Sequence, residues 1–367
     1  MKPNSIHFYR LDSLRMIAFL IVFCSHSFSH SLDSIKEFSF LSPIFGAGDQ
    51  GVRIFFVLSG FLITYLLLIE HEANQKISIK NFYIRRTLRI WPLYYLILLV
   101  GIYILPNISS VFKFCGNPLM NLLFLNNFNI FETGNCYNPH ILIAWSVAIE
   151  EQFYLIWPII FYFGVKKKKI LPLICIIGFI SGYLYSVFIN YNYFSSICNI
   201  NYLLIGCYGG YLYKTYSKEI NNSWIKSNYF LCFLIAFLCF LTIILSNLSE
   251  DFTEFVYIKE ILYPIIYLLI VLYCVSNDSS SKRKGKTFSS LGKYTYGMYL
   301  YHPMILLFLK IVFDKLNWDY LHNPILNFNL AVLSLISTII ISIISYKYFE
   351  KIFLNYKHKF STVKTRL

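Results

Sequence analysis

Charge is scarce in this chain. Only 14% of its 367 residues are Asp, Glu, Lys or Arg, against 57% that are hydrophobic. Soluble domains carry about a quarter charged residues, so an ordinary water-soluble fold is excluded. Acid is scarcer than base, with 18 Asp and Glu against 32 Lys and Arg, for a formal net charge of +14. In a soluble protein that excess would point to nucleic acid. Here the basic residues fall between apolar runs near twenty residues long, where the positive-inside rule accounts for most of them. No nucleic-acid partner is expected. No spacing of Cys and His matches a zinc site, so no metal is expected either. A cleavable signal peptide is also missing. Arg15 interrupts the first apolar run and no small-x-small site follows it, so that run is expected to remain as the first membrane helix. No internal repeat or coiled coil is visible.

What is present is a series of ten apolar windows, near 12–30, 51–70, 86–105, 141–165, 170–190, 197–213, 228–247, 259–276, 296–314 and 327–348. They predict an all-α, polytopic integral membrane protein forming one transmembrane domain over 1–367. The sixth window is the shortest, and Gly206, Gly209 and Gly210 within it suggest close helix contact. With the N-terminus inside, the inner segments carry Arg10, then Lys76, Lys80, Arg85 and Arg86, then Lys166–Lys169. Further inner segments carry Lys214, Lys218 and Lys226, then Lys282–Lys286, and last Lys357 and Lys359. The outer connections are poor in base. Both termini are therefore expected in the cytoplasm. The polar run Asp278–Lys286 reads as a flexible linker. In the long outer connection 106–140, the apolar run 120–125 is too short to span and is either re-entrant or interfacial. Of nine cysteines, seven lie in or beside apolar runs and pack as small hydrophobes. Cys115 and Cys136 share the outer connection, where either a disulfide or two free thiols fits the spacing.

Ionisable residues inside apolar runs are expensive and mark function by default. Arg15 and His26 lie eleven positions apart on the first helix, close to three turns, so they share a face and stand roughly 16 Å apart along the axis. Arg15 alone would snorkel to the headgroups, and His26 alone would serve as hydrogen-bonding glue. Glu150 and Glu151 lie near mid-membrane, where either one carboxyl orients an imidazole and the other pairs with an arginine, or the two form a purely structural ion pair between helices. Ser59-Gly60 allows close helix approach or exposes backbone N–H groups. Arg53 either contacts an acceptor or snorkels. Arg86 and Arg89 are i, i+3 on the third helix, a fork pair suited to phosphate, whereas Arg85 fits a positive-inside anchor. Tyr299 and His302 are likewise i, i+3, just before Pro303, which is expected to kink the helix.

Assembled in order, these segments resemble the membrane acyltransferase-3 family over essentially the whole length. Arg15 and His26 match its basic residue, ten intervening positions, then histidine. Phe55-Phe56-Val57-Leu58-Ser59-Gly60 matches Phe-Phe-x-x-Ser-Gly, and Arg86-Thr87-Leu88-Arg89 matches Arg-x-x-Arg. Trp145-Ser146-Val147-Ala148-Ile149-Glu150-Glu151-Gln152-Phe153-Tyr154 looks like its Trp-Ser…Glu-Glu-Gln-Phe-Tyr signature, and Tyr299-Leu300-Tyr301-His302-Pro303 like its Tyr-Leu-x-His segment. Asp12-Ser13 stands where the family commonly has an acidic residue and glycine, and no hydrolase-like domain is expected after the tenth helix.

The resemblance implies a multi-pass protein of the bacterial inner membrane. It would transfer acetyl from cytoplasmic acetyl-CoA to a sugar hydroxyl of an extracytoplasmic glycan. That acceptor would be lipopolysaccharide O-antigen, capsule, exopolysaccharide or a lipid-linked precursor. The implied catalytic group is His26 with Glu150 or Glu151. Substrate contacts fall to Arg15, Arg53, Ser59, Arg86, Arg89, Tyr299 and His302, with Lys76 and Lys80 as helpers at the phosphates. Whether His26 carries the acyl group covalently is open. A transporter of acyl donors or glycan precursors is the alternative, since intramembrane charges also mark transport paths; the paired broken helices that would support it are not visible.

Overall fold

The computed structural model describes residues 7–34, 45–128, 139–166, 169–189, 191–248, 253–278 and 286–361. All regular structure among them is helical. Each of the ten apolar windows is occupied by a helix: α1 (Tyr9–Ser34), α2 (Gly48–Asn74), α3 (Ile79–Leu99), α4 (Ala144–Gly164), α5 (Ile170–Phe188), α6 (Ser196–Thr215), α7 (Asn228–Leu248), α8 (Thr253–Ser276), α9 (Thr295–Lys315) and α10 (Pro324–Ser345). One of several shorter helices, labelled α11 (Lys351–Lys357), follows a π turn at Tyr346–Glu350.

Starts are marked by local chemistry. Ser78 accepts from the Asn81 N–H at the head of α3, and Ser195 caps α6. Asn323 caps α10 with Pro324 in the first turn, where no amide partner is needed. The linker run between Asp278 and Lys286 lies outside the described residues.

Seven helices among the described residues are long and apolar enough to cross a membrane. The three windows that fall short are those of α4, α6 and α7. Helix α4 carries two carboxyls, and the described apolar part of α7 is short. Helix α6 buries Asn199, Asn201 and its glycines against other helices. A helix covered by protein rather than lipid does not need an apolar surface all round.

Helix α6 packs on α2 more extensively than any other pair among the described residues. A Cβ on Gly60 would strike the Leu203 carbonyl, one on Gly206 the Val57 carbonyl, and one on Gly210 the Phe61 carbonyl. The glycines thus let two backbones touch, as the sequence suggested. Trp157 on α4 donates to the Thr64 hydroxyl on α2 (3.0 Å) and fastens a third helix to this pair.

Arg53 is where the structure departs from the reading of an acceptor contact or a snorkelling cation. It is 1% exposed. Its guanidinium pairs with Glu260 on α8 (3.0 Å) and receives longer-range support from Asp49 one turn earlier (3.7 Å). It also donates to the hydroxyls of Tyr202 (2.8 Å) and Tyr191 (2.5 Å). With both charges buried, each is the other's counter-ion, and Arg53 ties α2, α6 and α8 together.

The connection after α3 forms a short helix, Pro118–Leu122, and turns back against the bundle. The Tyr94 hydroxyl donates to the Asn121 carbonyl (2.7 Å), and Gln152, well inside α4, donates to the Phe124 carbonyl (2.7 Å). The segment therefore reaches the depth of Gln152 rather than lying across the bundle's end. Cys115 is disulfide-bonded, whereas the other seven cysteines of the described residues are thiols outside any disulfide. Cys136 lies outside the described residues.

Candidate active site

Helices α1, α2, α3, α4 and α9, with the turn from α10 to α11, enclose a cavity of about 260 Å³. Its wall on α2 runs from Glu70 to Val52, about 27 Å of helix. His7, Lys357 and Ser361 stand at the Glu70 end, and Val52, Phe55, Ser146 and Tyr299 at the other. Because His7 and Ser361 line one cavity, the first and last described residues lie on the same side of the bundle.

The Glu70 end is cationic. Arg15, Arg85, Arg86, Arg89, Lys293 and Lys357 all line it. Two are neutralised locally: Arg15 by Asp12 (2.6 Å) and Arg85 by Glu70 (2.8 Å). Arg86 and Arg89 have no carboxylate within ion-pair distance among the described residues; Arg86 lies against the rings of Phe82 and Tyr154 (5.7 and 5.3 Å). Their i, i+3 spacing puts both on the cavity face of α3, as the sequence predicted. Lys76 and Lys80 are exposed and do not line the cavity.

Midway, Glu150 lines the wall with both oxygens engaged. Ser59 donates to Oε1 (2.7 Å) and Tyr154, one turn further along α4, donates to Oε2 (2.9 Å). Glu151 points elsewhere, because adjacent helical residues diverge by about 100°. It accepts from the Trp91 indole (2.8 Å) and does not line the cavity. The expectation that one of these carboxyls holds the His26 imidazole is corrected by the geometry.

The partner of His26 is a second histidine. His26 Nδ1 lies 3.0 Å from His302 Nε2, with the rings 17° from parallel. His302 is fully buried, and the rings of Phe19, Phe23 and Tyr299 surround it at 5.7–6.1 Å. Its Nδ1 lies 3.2 Å from the Met298 carbonyl. A carbonyl only accepts, so His302 carries its proton on Nδ1 and presents a lone pair at Nε2. His26 must then donate from Nδ1, which leaves the lone pair of His26 Nε2 for a reacting group. His26 itself is exposed and is not part of the cavity wall. Tyr299, at the cavity's end, stands one turn before His302, so the cavity stops beneath the histidine pair.

At that end the Tyr299 and Ser146 hydroxyls are 2.7 Å apart. Ser146 gives its hydrogen to the Ile143 carbonyl (3.2 Å), so Tyr299 donates to Ser146. Sequence reasoning passed over Ser146, Tyr154, Glu350 and Lys357. Ser146 and Tyr154 each sit about one turn from Glu150 on α4, a spacing that could have found them. Glu350 reaches the cavity from the π turn and accepts from Ser345 (3.3 Å). Such turns recur at functional sites, but nothing local in the sequence announces this one.

Among the described residues no cluster of His, Cys, Asp or Glu is placed to hold a metal ion. No solved structure matches this chain significantly. The peptidoglycan O-acetyltransferase OatA of Listeria monocytogenes is 28% identical over 366 residues, covering 93% of this chain and 54% of that protein. The O-acetyltransferase OatA of Staphylococcus aureus is 24% identical over 348 residues, covering 87% of this chain and 56% of that protein. The chain thus spans about half the length of the curated relatives it matches. The family profile described as an acyltransferase domain, acyltransferase 3, matches residues 8–347, and with that match over nearly its whole length the chain belongs to the acyltransferase-3 family.

Proposed function

We propose that this chain is a membrane O-acyltransferase that passes acetyl from acetyl-CoA, bound from the cytoplasmic side, to a hydroxyl of an extracytoplasmic glycan. One observation carries the reading: a cavity with unpaired cations at one end leads to a histidine pair whose tautomers leave a basic nitrogen free. Peptidoglycan, for which the Listeria relative is named, is the acceptor to try first, beside surface polysaccharides and their lipid-linked precursors. The ten helices would place both termini and the cationic mouth in the cytoplasm, in keeping with the basic inner segments.

In this reading Arg86 and Arg89 hold the donor phosphates with bidentate, charge-assisted hydrogen bonds. Arg15, already anchored by Asp12, guides the arm past the mouth. Glu150 faces the middle of the cavity, where the amide N–H groups of the pantetheine arm are donors of the kind a carboxylate accepts. The thioester reaches the Tyr299 end. His26 Nε2 takes the proton from the sugar hydroxyl as its oxygen attacks the thioester carbonyl. The developing oxyanion is a stronger acceptor than the Ser146 hydroxyl and draws the Tyr299 hydrogen to itself. The C–S bond then breaks, His26 returns the proton to the departing sulfur, and the O-acetyl ester and free CoA thiol remain. His302 keeps its Nε2 lone pair on the His26 Nδ1–H throughout, so the imidazolium is oriented without a carboxylate.

The test is purified protein in lipid nanodiscs with radiolabelled acetyl-CoA and soluble glycan fragments. Acetyl ester formation by wild type, and its absence in a well-folded His26→Ala variant, is expected. Ester formation at the wild-type rate by that variant would sink the assignment. Transport of label into vesicles without ester formation would favour a carrier instead.

A further inference from the structure

The stretch after α10 carries Lys357 and Lys359, which the sequence counts among the basic residues of the inner segments. The structure folds it back into the protein. Helix α11 lies along the start of α3, and Arg85 secures the return by donating to the Phe360 carbonyl (2.8 Å) while its other amino group pairs with Glu70. Lys357 ends up 5% exposed on the cavity wall, whereas Tyr356, His358 and Lys359 beside it are exposed. An anchoring lysine would extend its ammonium to water or headgroups. Lys357 does the opposite.

No carboxylate lies within ion-pair distance of the Lys357 ammonium among the described residues, and its charged neighbours across the cavity are Arg15, Arg85, Arg86 and Arg89. Asp12 and Glu70 already serve Arg15 and Arg85. The remaining carboxylates on the wall, Glu150 and Glu350, are hydrogen-bonded to hydroxyls. Arg86, Arg89 and Lys357 therefore share one end of the cavity, and among the described residues none of them has a carboxylate in ion-pair contact; Glu150 and Glu350 act on the two arginines only from farther off. Like charges withdrawn from water repel and lose hydration together, so an anion bound between them would be strongly favoured.

We propose that Lys357 is a donor-binding residue: from the α11 side it closes a phosphate clamp whose other side is Arg86 and Arg89. The C-terminal return is then part of the donor site, and the site selects a carrier bearing several phosphate groups. This rests on the acyl-CoA reading above. Phosphate ester is the chemistry recognised, and a lipid headgroup could also supply it.

The experiment measures CoA dissociation constants and ligand-free melting temperatures for full-length wild type, Lys357→Gln and Lys357→Arg. Nanodiscs of phosphatidylcholine alone and with phosphatidylglycerol are used. A charged hydrogen bond to phosphate predicts CoA binding about tenfold or more weaker in Lys357→Gln, with Lys357→Arg close to wild type. Removing a buried cation that lacks a partner should leave the ligand-free Lys357→Gln protein at least as heat-stable as wild type. Unchanged CoA affinity in Lys357→Gln overturns the clamp. So does a lower ligand-free melting temperature with weakened binding that Lys357→Arg does not rescue, which marks a packing role. A melting temperature that rises with phosphatidylglycerol in wild type only, with CoA affinity equal in all three proteins, assigns the site to a lipid headgroup and also overturns it. Wild-type protein that binds no CoA at all rejects the donor reading itself, and the clamp falls with it.

Discussion

The histidine pair allows one perturbation to be worked through. In His302→Leu the imidazole gives way to an apolar side chain that fits among Phe19, Phe23 and Tyr299, and the Met298 carbonyl loses only a side-chain donor. What disappears is the acceptor for the His26 Nδ1 proton, 3.0 Å away. A hydrogen bond that strengthens as the imidazole becomes charged is worth roughly 1–3 kcal/mol. At about 1.4 kcal/mol per factor of ten, kcat should fall roughly 5- to 150-fold. The donor does not touch His302, so KM for acetyl-CoA should stay within about twofold. His302→Gln restores a carbonyl acceptor at similar reach and should recover part of the loss. The assay is steady-state acetyl transfer in nanodiscs, with chromatographic monodispersity and melting temperature as checks on folding. A folded His302→Leu enzyme with wild-type kcat refutes the tautomer argument. A rise confined to KM would place His302 in substrate binding instead.

Other outcomes follow from the same geometry. Glu150→Gln should raise KM for the donor about fivefold or more, through weaker contact with the arm, whereas Glu151→Gln should leave turnover within about twofold. Equal effects in the two variants would contradict the division between a cavity-facing and a Trp91-facing carboxyl. Arg53→Ala should destabilise the fold by about 3–5 kcal/mol, because it strands Glu260 as an uncompensated buried charge. Thermal denaturation checks this, and a normal melting temperature with altered acceptor KM would return Arg53 to substrate contact. Gly206→Ala forces α2 and α6 apart at the Val57 carbonyl and should cost about 1–3 kcal/mol, read as a lowered melting temperature with little change in donor KM.

The ten helices were legible because lipid demands long apolar runs with internally bonded backbones, and because glycine leaves few explanations other than close approach. Ser59-Gly60 and Gly206 to Gly210 illustrate this: the expected backbone contact is present. Arg86 and Arg89 were legible for a similar reason, since i, i+3 spacing on a helix sets a shared face whatever surrounds it. Glu150 and Glu151 were misassigned because their helix was known but its rotation was not. A turn of about 100° per residue separates a group on the cavity wall from one on an indole. Arg53 had the same ambiguity. A cation near a helix end reads as snorkelling or substrate-facing until Glu260, 207 positions later in the chain, is seen beside it.

By itself, then, the sequence determined that the chain is a helical membrane protein, where its helices run, and which side chains had to be explained. Those properties depend on composition and on spacing within one element, and both are local. Only the tertiary structure decided who meets whom. It made His302 rather than a glutamate the partner of His26, turned Glu151 out of the cavity, and folded Lys357 back beside two arginines. Each of those outcomes depends on the relative rotation and depth of helices distant in the chain, which no single helix encodes.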